Sequence, residues 1–288
     1  MKAMILAAGL GTRLRPLTDS RPKALVEIAG RTLLEISLKG LRSFGITEVI
    51  INVHHFADMV VDYLKAHNNF DMRIEISRED HLLLDTGGGL KKAAWFFLEG
   101  PHQGLAFEAT KNKTGGVIPS QARNPGRVPT QSSTDAARNT SEKPFLLHNV
   151  DVISNIDLRR MLQFHSERGA LATLAVQSRA SSRLLLFDDH LQLIGRAAPP
   201  AAATKEDVIP CEASNPLAFS GIHIISPRLL ALLTETGVFS IIDVYLRLAA
   251  QGEKILAFRA DEYYWRDLGR PADLSQAVLD LQHEPLLW

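Results

Sequence analysis

Arg13 and Lys23 bracket the stretch with the clearest chemical content, Leu6-Ala7-Ala8-Gly9-Leu10-Gly11-Thr12-Arg13-Leu14-Arg15-Pro16-Leu17-Thr18, followed by Pro22-Lys23. Glycines at 9 and 11 remove β-carbons where backbone must approach a ligand closely, and successive N–H groups in such a loop make an anion-binding nest. Arg13 offers a fork for two phosphate oxygens and Lys23 a mobile point charge, which together suit a polyphosphate. A tight glycine turn with surface basic residues is the plainer reading of the same letters. A second glycine run, Thr86-Gly87-Gly88-Gly89, precedes a helical stretch starting near Leu90. Its N–H groups and small side chains can lie against a base or ribose, and Thr86 can also cap that helix. Asp151 lies just past an apolar run and Asp267 just after Trp265, and two carboxylates brought together from distant segments give a hard, oxygen-rich site suited to Mg²⁺. Either one alone fits a turn or a helix cap equally well.

Two familiar phosphate motifs are absent. GxxxxGK[ST] does not occur, and the third glycine of GxGxxG is replaced by Leu14. His54-His55 lacks a spaced partner such as HExxH, and Cys211 has no local signature of a nucleophile.

The elements that must position these residues follow from the hydrophobic pattern. Residues 2–7 form an apolar run closed by glycines, as in a parallel strand buried on both faces. Leu33, Leu34, Leu38, Leu41 and Phe44 recur at helical spacing and stop at Gly45, before a strand at 48–53. A helix at 56–66, strands at 72–77 and 145–148, a helix at 158–168 and a strand at 171–176 continue the alternation. That order predicts an α/β fold with a mainly parallel, covered sheet, and ligands at the loops after residues 7, 77 and 149. The rhythm then changes. Residues 183–194 read as a hairpin around Asp188-Asp189-His190, 196–216 as a Pro/Ala-rich loop and 217–225 as a strand, with helices at 227–233, 241–250 and 271–282. This predicts a small antiparallel region appended to the parallel one. Residues 101–144 are rich in Pro, Ser, Thr, Asn and Gln and read as a disordered insertion.

Of the 288 residues 45% are apolar, which rules out disorder as the dominant state. Lys plus Arg and Asp plus Glu both number 32, so no global charge favours nucleic acid or an anionic membrane, and phosphate recognition must be local. One cysteine excludes an internal disulfide framework and fits a cytoplasmic location. The opening apolar stretch is too short to span a bilayer and lacks a signal-cleavage pattern.

The amino-terminal segment resembles the signature of the sugar nucleotidyltransferases, which join a nucleoside triphosphate to a sugar 1-phosphate and release pyrophosphate. Asp85-Thr86-Gly87-Gly88-Gly89, Asn149-Val150-Asp151-Val152, Phe219-Ser220-Gly221-Ile222 and Trp265-Arg266-Asp267-Leu268-Gly269 are similar to the family's later motifs, in order. Within the family the chain looks most like N-acetylmuramate 1-phosphate uridylyltransferases and mannose 1-phosphate guanylyltransferases. The resemblance implies a Rossmann-like sheet with a nucleotide half at about 1–150 and a sugar half at about 151–288 in one nucleotidyltransferase domain. It implies nucleotide contacts from Ala8, Gly9, Gly11, Thr12, Arg13, Lys23, Thr86, Gly87 and Gly88, and sugar contacts from Asn149 and Gly221. Arg13, Lys23 and Asp151 would be catalytic, and Asp151 and Asp267 would hold Mg²⁺. Val150 stands where the family often has glycine and is expected to narrow the sugar side. The expected partners are a nucleoside triphosphate and a sugar 1-phosphate, with a homo-oligomer allowed and no nucleic acid or membrane. A silent sugar-nucleotide-binding regulator and a choline-phosphate cytidylyltransferase are the alternatives, separated by turnover and by phosphocholine in a substrate panel.

Overall fold

The computed structural model describes residues 1–98, 143–197 and 214–283. Most of the expected insertion at 101–144, together with Cys211, lies outside the described residues.

The strands in the first half are β1 (Ala3–Leu6), β2 (Glu27–Ile28), β3 (Arg31–Thr32), β4 (Glu48–Val53), β5 (Arg73–Arg78), β6 (Phe145–Asn149) and β7 (Val152–Ser154). Those in the second are β8 (Ala172–Gln177), β9 (Leu184–Phe187), β10 (Leu193–Arg196), β11 (Asn215–Ile225), β12 (Ile255–Arg259) and β13 (Trp265–Asp267). The helices are α1 (Leu33–Ser43), α2 (Ala57–Ala66), α3 (Asp85–Lys92), α4 (Ala94–Leu98), α5 (Leu158–Arg168), α6 (Arg228–Ala231), α7 (Ile241–Ala250) and α8 (Pro271–His283).

β1 lies at the centre of a parallel set, bonded to β4 on one side and β6 on the other, with β5 beyond β4. Its continuous apolar run is explained by the two faces it feeds. Ala3 and Ile5 join a core with Leu34 and Leu38 of α1, Val60 of α2 and Met161 of α5. Met4 faces the opposite core, with Leu90 of α3, Phe96 of α4 and Tyr245 of α7. The α1 helix starts where expected because the Thr32 hydroxyl accepts the Glu35 N–H at 3.0 Å, and the chain leaves it through Gly45 at φ +78°.

The antiparallel strands expected in the second half are present, and they are continuous with the parallel set. β11 runs antiparallel directly on β6, and it also pairs with β8 and β9, so the second half continues the same sheet. The path is β10-β9-β11-β6-β1-β4-β5, with β8 bridging β11 and β12, so the sheet is mixed around a parallel core. The β9–β10 hairpin is turned by Asp188, whose Oδ1 accepts the N–H groups of His190 and Gln192 at 2.9 and 2.8 Å. β12, parallel to β8, is a strand that the sequence pattern did not single out. The helix expected at 227–233 shrinks to the four residues of α6. Among the described residues no helix is long and apolar enough to cross a membrane.

A two-stranded ribbon stands apart from the main sheet: β13 pairs antiparallel with β7, placing Asp267 opposite Val152. This pairing sets the chemistry described next.

Candidate active site

The loop after β1 is held from below by buried polar groups. The Ala7 N–H donates to Asn52 Oδ1 at 2.8 Å, and Asn52 Nδ2 donates to Glu79 Oε1 at 2.8 Å. Glu79 Oε2 accepts the Leu84 N–H at 2.9 Å. Asn52 and Glu79 are 3% and 1% exposed, so this pair ties the ends of β1, β4 and β5 to the start of α3 without solvent competition. The sequence reading missed both; a lone Asn inside the apolar run of β4 was the available signal.

Above that brace Gly11 adopts φ +65°, and a β-carbon there would stand 2.8 Å from Thr18 Cγ2. The Thr18 hydroxyl donates to Gly11 O at 2.9 Å, closing the loop. Among the described residues the N–H groups of Ala8, Gly9, Gly11 and Thr12 have no protein acceptor, which leaves them available to an anion. Arg13, in a short 3-10 turn over Thr12–Leu14, is exposed, whereas Lys23 is buried to 8% exposure.

Lys23 Nζ makes an ion pair with Asp151 Oδ2. Asp151 follows β6, and its carbonyl accepts the Leu268 N–H at 2.8 Å, so the β7–β13 ribbon holds the Asp267 segment beside it. A β-carbon on Gly269 would lie 2.8 Å from both Arg13 Nη2 and Asp267 Oδ1, which shows how closely these groups converge. Asp267 Oδ1 is buried and has no hydrogen-bond partner among the described residues. Burial raises the Asp267 pKa above its ordinary value and the Asp151 charge adds to this, while Lys23 and Arg13 oppose it. A carboxylate pair with an orphaned buried oxygen suits a hard divalent cation. No cluster of three His, Cys, Asp or Glu side chains occurs among the described residues, so phosphate oxygens and water would have to supply the remaining ligands.

Beside this cluster opens a cleft of about 830 Å³, lined among others by Asn149, Gly221, Asp267, Arg179 and Trp265. Gly221 sits at φ +74° where β11 shifts register, and a β-carbon there would be 2.8 Å from Asn149 Nδ2. The two expected sugar-side residues are thus packed together at the cleft. Val150 does not narrow it: its side chain is 4% exposed in the core shared with α1, and it is not part of the cleft lining. His54, at the end of β4, makes a 2.6 Å contact from Nδ1 to Glu79 O, a strand-end role.

The second glycine run differs from expectation. Thr86, Gly87, Gly88 and Gly89 lie inside α3 and do not precede it. The N–H groups of Gly87 and Gly88 donate to Phe239 O at 3.0 and 3.2 Å, so they are already engaged. β-Carbons at these positions would stand 2.4 Å from Phe239 Cδ2 and 2.6 Å from Gly237 O. Gly87 and Gly88 therefore serve close packing of α3 on the 237–241 segment. Thr86 does cap a helix, though not its own: its hydroxyl accepts the Ile241 N–H at the start of α7 at 3.0 Å. Thr86 and Asp85 also line the cleft.

Known proteins are similar to this chain in sequence and fold. Residues 2–108 match the family model described as nucleotidyl transferase. The chain is 50% identical over 101 residues to the N-acetylmuramate alpha-1-phosphate uridylyltransferase of Caulobacter vibrioides, covering 34% of this chain and 42% of that protein. It is 25% identical over 284 residues to the UTP–glucose-1-phosphate uridylyltransferase of Synechocystis, covering 96% of this chain and 62% of that one. The chain thus spans less than two thirds of the length of these relatives. Its fold is similar to that of a UDP-glucose pyrophosphorylase complexed with UDP-glucose, with a TM-score of 0.67 at 17% identity, covering 98% of each chain. Residues 2–108, which include the signature loop, are thus similar to the nucleotidyl transferase family, and the fold is similar to that of solved structures along the length of the chain.

Proposed function

We propose that this chain transfers a nucleotidyl group from a nucleoside triphosphate to a sugar 1-phosphate, yielding an NDP-sugar and pyrophosphate. The observation that carries this reading is the convergence of Arg13, the Lys23–Asp151 pair and the buried, unpartnered Asp267 carboxylate beside a cleft large enough for a nucleotide sugar. A phosphate oxygen of the sugar 1-phosphate attacks the α-phosphorus in line, the bond from that phosphorus to the bridging oxygen breaks, and pyrophosphate leaves with the electron pair. The free N–H groups of residues 8–12 receive phosphate oxygens, and Arg13 and Lys23 offset the charge that grows on the leaving group. Asp151 and Asp267 would hold Mg²⁺, which when bound adds cationic stabilisation of the phosphate charges. Asn149 and Gly221 face the sugar side, and residues 1–150 and 151–288 act as the nucleotide and sugar halves of one cytoplasmic enzyme.

The relatives named above and the resemblance of the motifs direct the choice of substrates, with UTP and N-acetylmuramate 1-phosphate as the first pair and GTP with mannose 1-phosphate next. The test is pyrophosphate release with Mg²⁺ over a grid of UTP, GTP, dTTP, CTP and ATP against these sugar 1-phosphates, glucose 1-phosphate and phosphocholine, with Asp151→Asn as control. Turnover with one sugar pair that the control abolishes is the expected result. Silence across the grid, or turnover with phosphocholine alone, overturns the reading.

A further inference from the structure

The Leu6–Ala7 peptide is the last before the loop that bares the N–H groups of residues 8–12, and it is gripped from both sides. Its carbonyl accepts the Val150 N–H at 3.1 Å, next to Asp151, and its N–H donates to Asn52 Oδ1 at 2.8 Å. Donor and acceptor roles in the buried brace below it are fixed from both ends. A backbone N–H can only donate, so Ala7 turns the Asn52 carbonyl oxygen toward itself and leaves Nδ2 to face Glu79. At the other end the Leu84 N–H can likewise only donate. Glu79 must therefore accept at both oxygens, which a carboxylate does and an amide cannot. Its own N–H donates to Val53 O at 2.7 Å, so the side chain leaves β5 in a set direction. Gly89 makes room for these bonds where α3 crosses them: a β-carbon there would stand 2.9 Å from both Asn52 Nδ2 and Glu79 Oε1.

The brace thus ends on two parts of the candidate site. One is the loop over residues 8–12, and the other is the turn at Leu84, after which Asp85 at φ +59° and Thr86 line the cleft. We infer that Asn52 and Glu79 are positioning residues for the nucleotide: they hold the loop amides and the cleft-lining start of α3 at one spacing, so the site is set before the nucleotide arrives. The inference rests on the reaction proposed above, in which those amides receive phosphate oxygens. Neither side chain touches a substrate, since both are buried beneath the loop. Their contribution is preorganisation: amides already aimed at the phosphates need no ordering on binding, and that saving appears as nucleotide affinity.

The test breaks the polarity of the brace and then restores it. At about pH 8, Asn52→Asp sets two carboxylates against each other. Glu79→Gln sets an NH₂ group against either Asn52 Nδ2 or the Leu84 N–H. In the double variant N52D/E79Q the new carboxylate accepts from Ala7 and from the new amide, whose oxygen accepts from Leu84, so every donor again meets an acceptor. KM for each substrate is measured in the four proteins with UTP and N-acetylmuramate 1-phosphate and with GTP and mannose 1-phosphate, together with the dissociation constant of the nucleotide alone by calorimetry. Each single variant is expected to weaken nucleotide binding about 5- to 50-fold by both measures, the cost of an opposed buried polar group, with the sugar 1-phosphate KM within about threefold. The double variant should return to within about threefold of wild type, a rescue that mere loss of packing would not give. Gly89→Ala, which crowds the brace from α3, should weaken nucleotide binding in the same direction, and it decides the matter if the single variants do not fold. Unchanged nucleotide affinity in the single variants, or in Gly89→Ala where those do not fold, overturns the inference and leaves the reaction standing. So does a double variant no better than the singles. A wild type silent on every pair overturns the reaction itself.

Discussion

Two glycine-rich stretches of this chain, residues 8–12 and 86–89, look alike as sequence and behave oppositely in the fold. The first is open. Gly9 has nothing within 4 Å of where a β-carbon would be, and its N–H and that of Gly11 meet no protein acceptor among the described residues. The second is closed. Gly87 and Gly88 are buried, their N–H groups bond Phe239 O, and the space their missing side chains leave is filled by Phe239 and the 237 carbonyl. The difference teaches that glycine records a close approach without naming what approaches. The neighbours name it: Arg13 and Lys23 beside the first stretch, Phe239 and Ile241 against the second.

The contrast can be broken or sharpened by substitution. The largest effect is expected at the open site, where Asp151→Asn should lower turnover by about 10³-fold or more, because it removes the charge paired with Lys23, which is also the one that would hold the proposed cation. Pyrophosphate release within tenfold of wild type would take Asp151 out of the chemistry. At the closed site Gly87→Ala forces a β-carbon to 2.4 Å from the Phe239 ring and 3.0 Å from Ile241 N, and should cost about 1–3 kcal/mol by overpacking. The urea midpoint measures this, and an unmoved midpoint would mean that Phe239 gives way freely. Thr86→Ala removes the acceptor of the Ile241 N–H and should cost about 1 kcal/mol, with Thr86→Ser restoring it. If the serine variant is as unstable as the alanine variant, the methyl group and not the hydroxyl matters. Smallest on stability is Gly9→Ala, expected within about 0.5 kcal/mol of wild type. It should nonetheless raise the nucleotide KM, since the added methyl faces the anion. A stability loss as large as that of Gly87→Ala would erase the distinction between the two stretches.

Much of the fold was legible because its physics is local. The buried parallel strands show as unbroken apolar runs, α1 shows as a helical stripe ended by Gly45, and the β9–β10 turn shows through its aspartates. Other elements were not legible for identifiable reasons. β7 and β13 have three residues each, too few for any periodicity to emerge. α3 carries glycines, poor helix formers, at positions 87–89, and it holds because this part bonds and packs against the 237–241 segment. The continuity of the sheet depended on β11 pairing with β6 across the segment between them, which no local pattern announces.

The candidate site divides the same way. Its charged and glycine residues stand out in the primary structure because phosphate chemistry demands their types: free amides, a guanidinium fork, an ammonium, carboxylates. The Asn52–Glu79 brace and the Arg179–Trp265 stack have no motif, since a buried amide or a stacked guanidinium is defined by what surrounds it.

What the sequence by itself determined is the inventory: apolar strands that must be covered, a loop whose glycines can bare their amides, and charges balanced overall yet available locally. Only the tertiary structure decided that Asp267 lies beside Asp151, that Gly87 and Gly88 pack against Phe239, and that Arg179 reaches the cleft stacked on Trp265. The physical reason is that strand register and helix packing between distant segments are settled by the burial of the whole core, and short-range patterns carry no record of which distant segment will arrive.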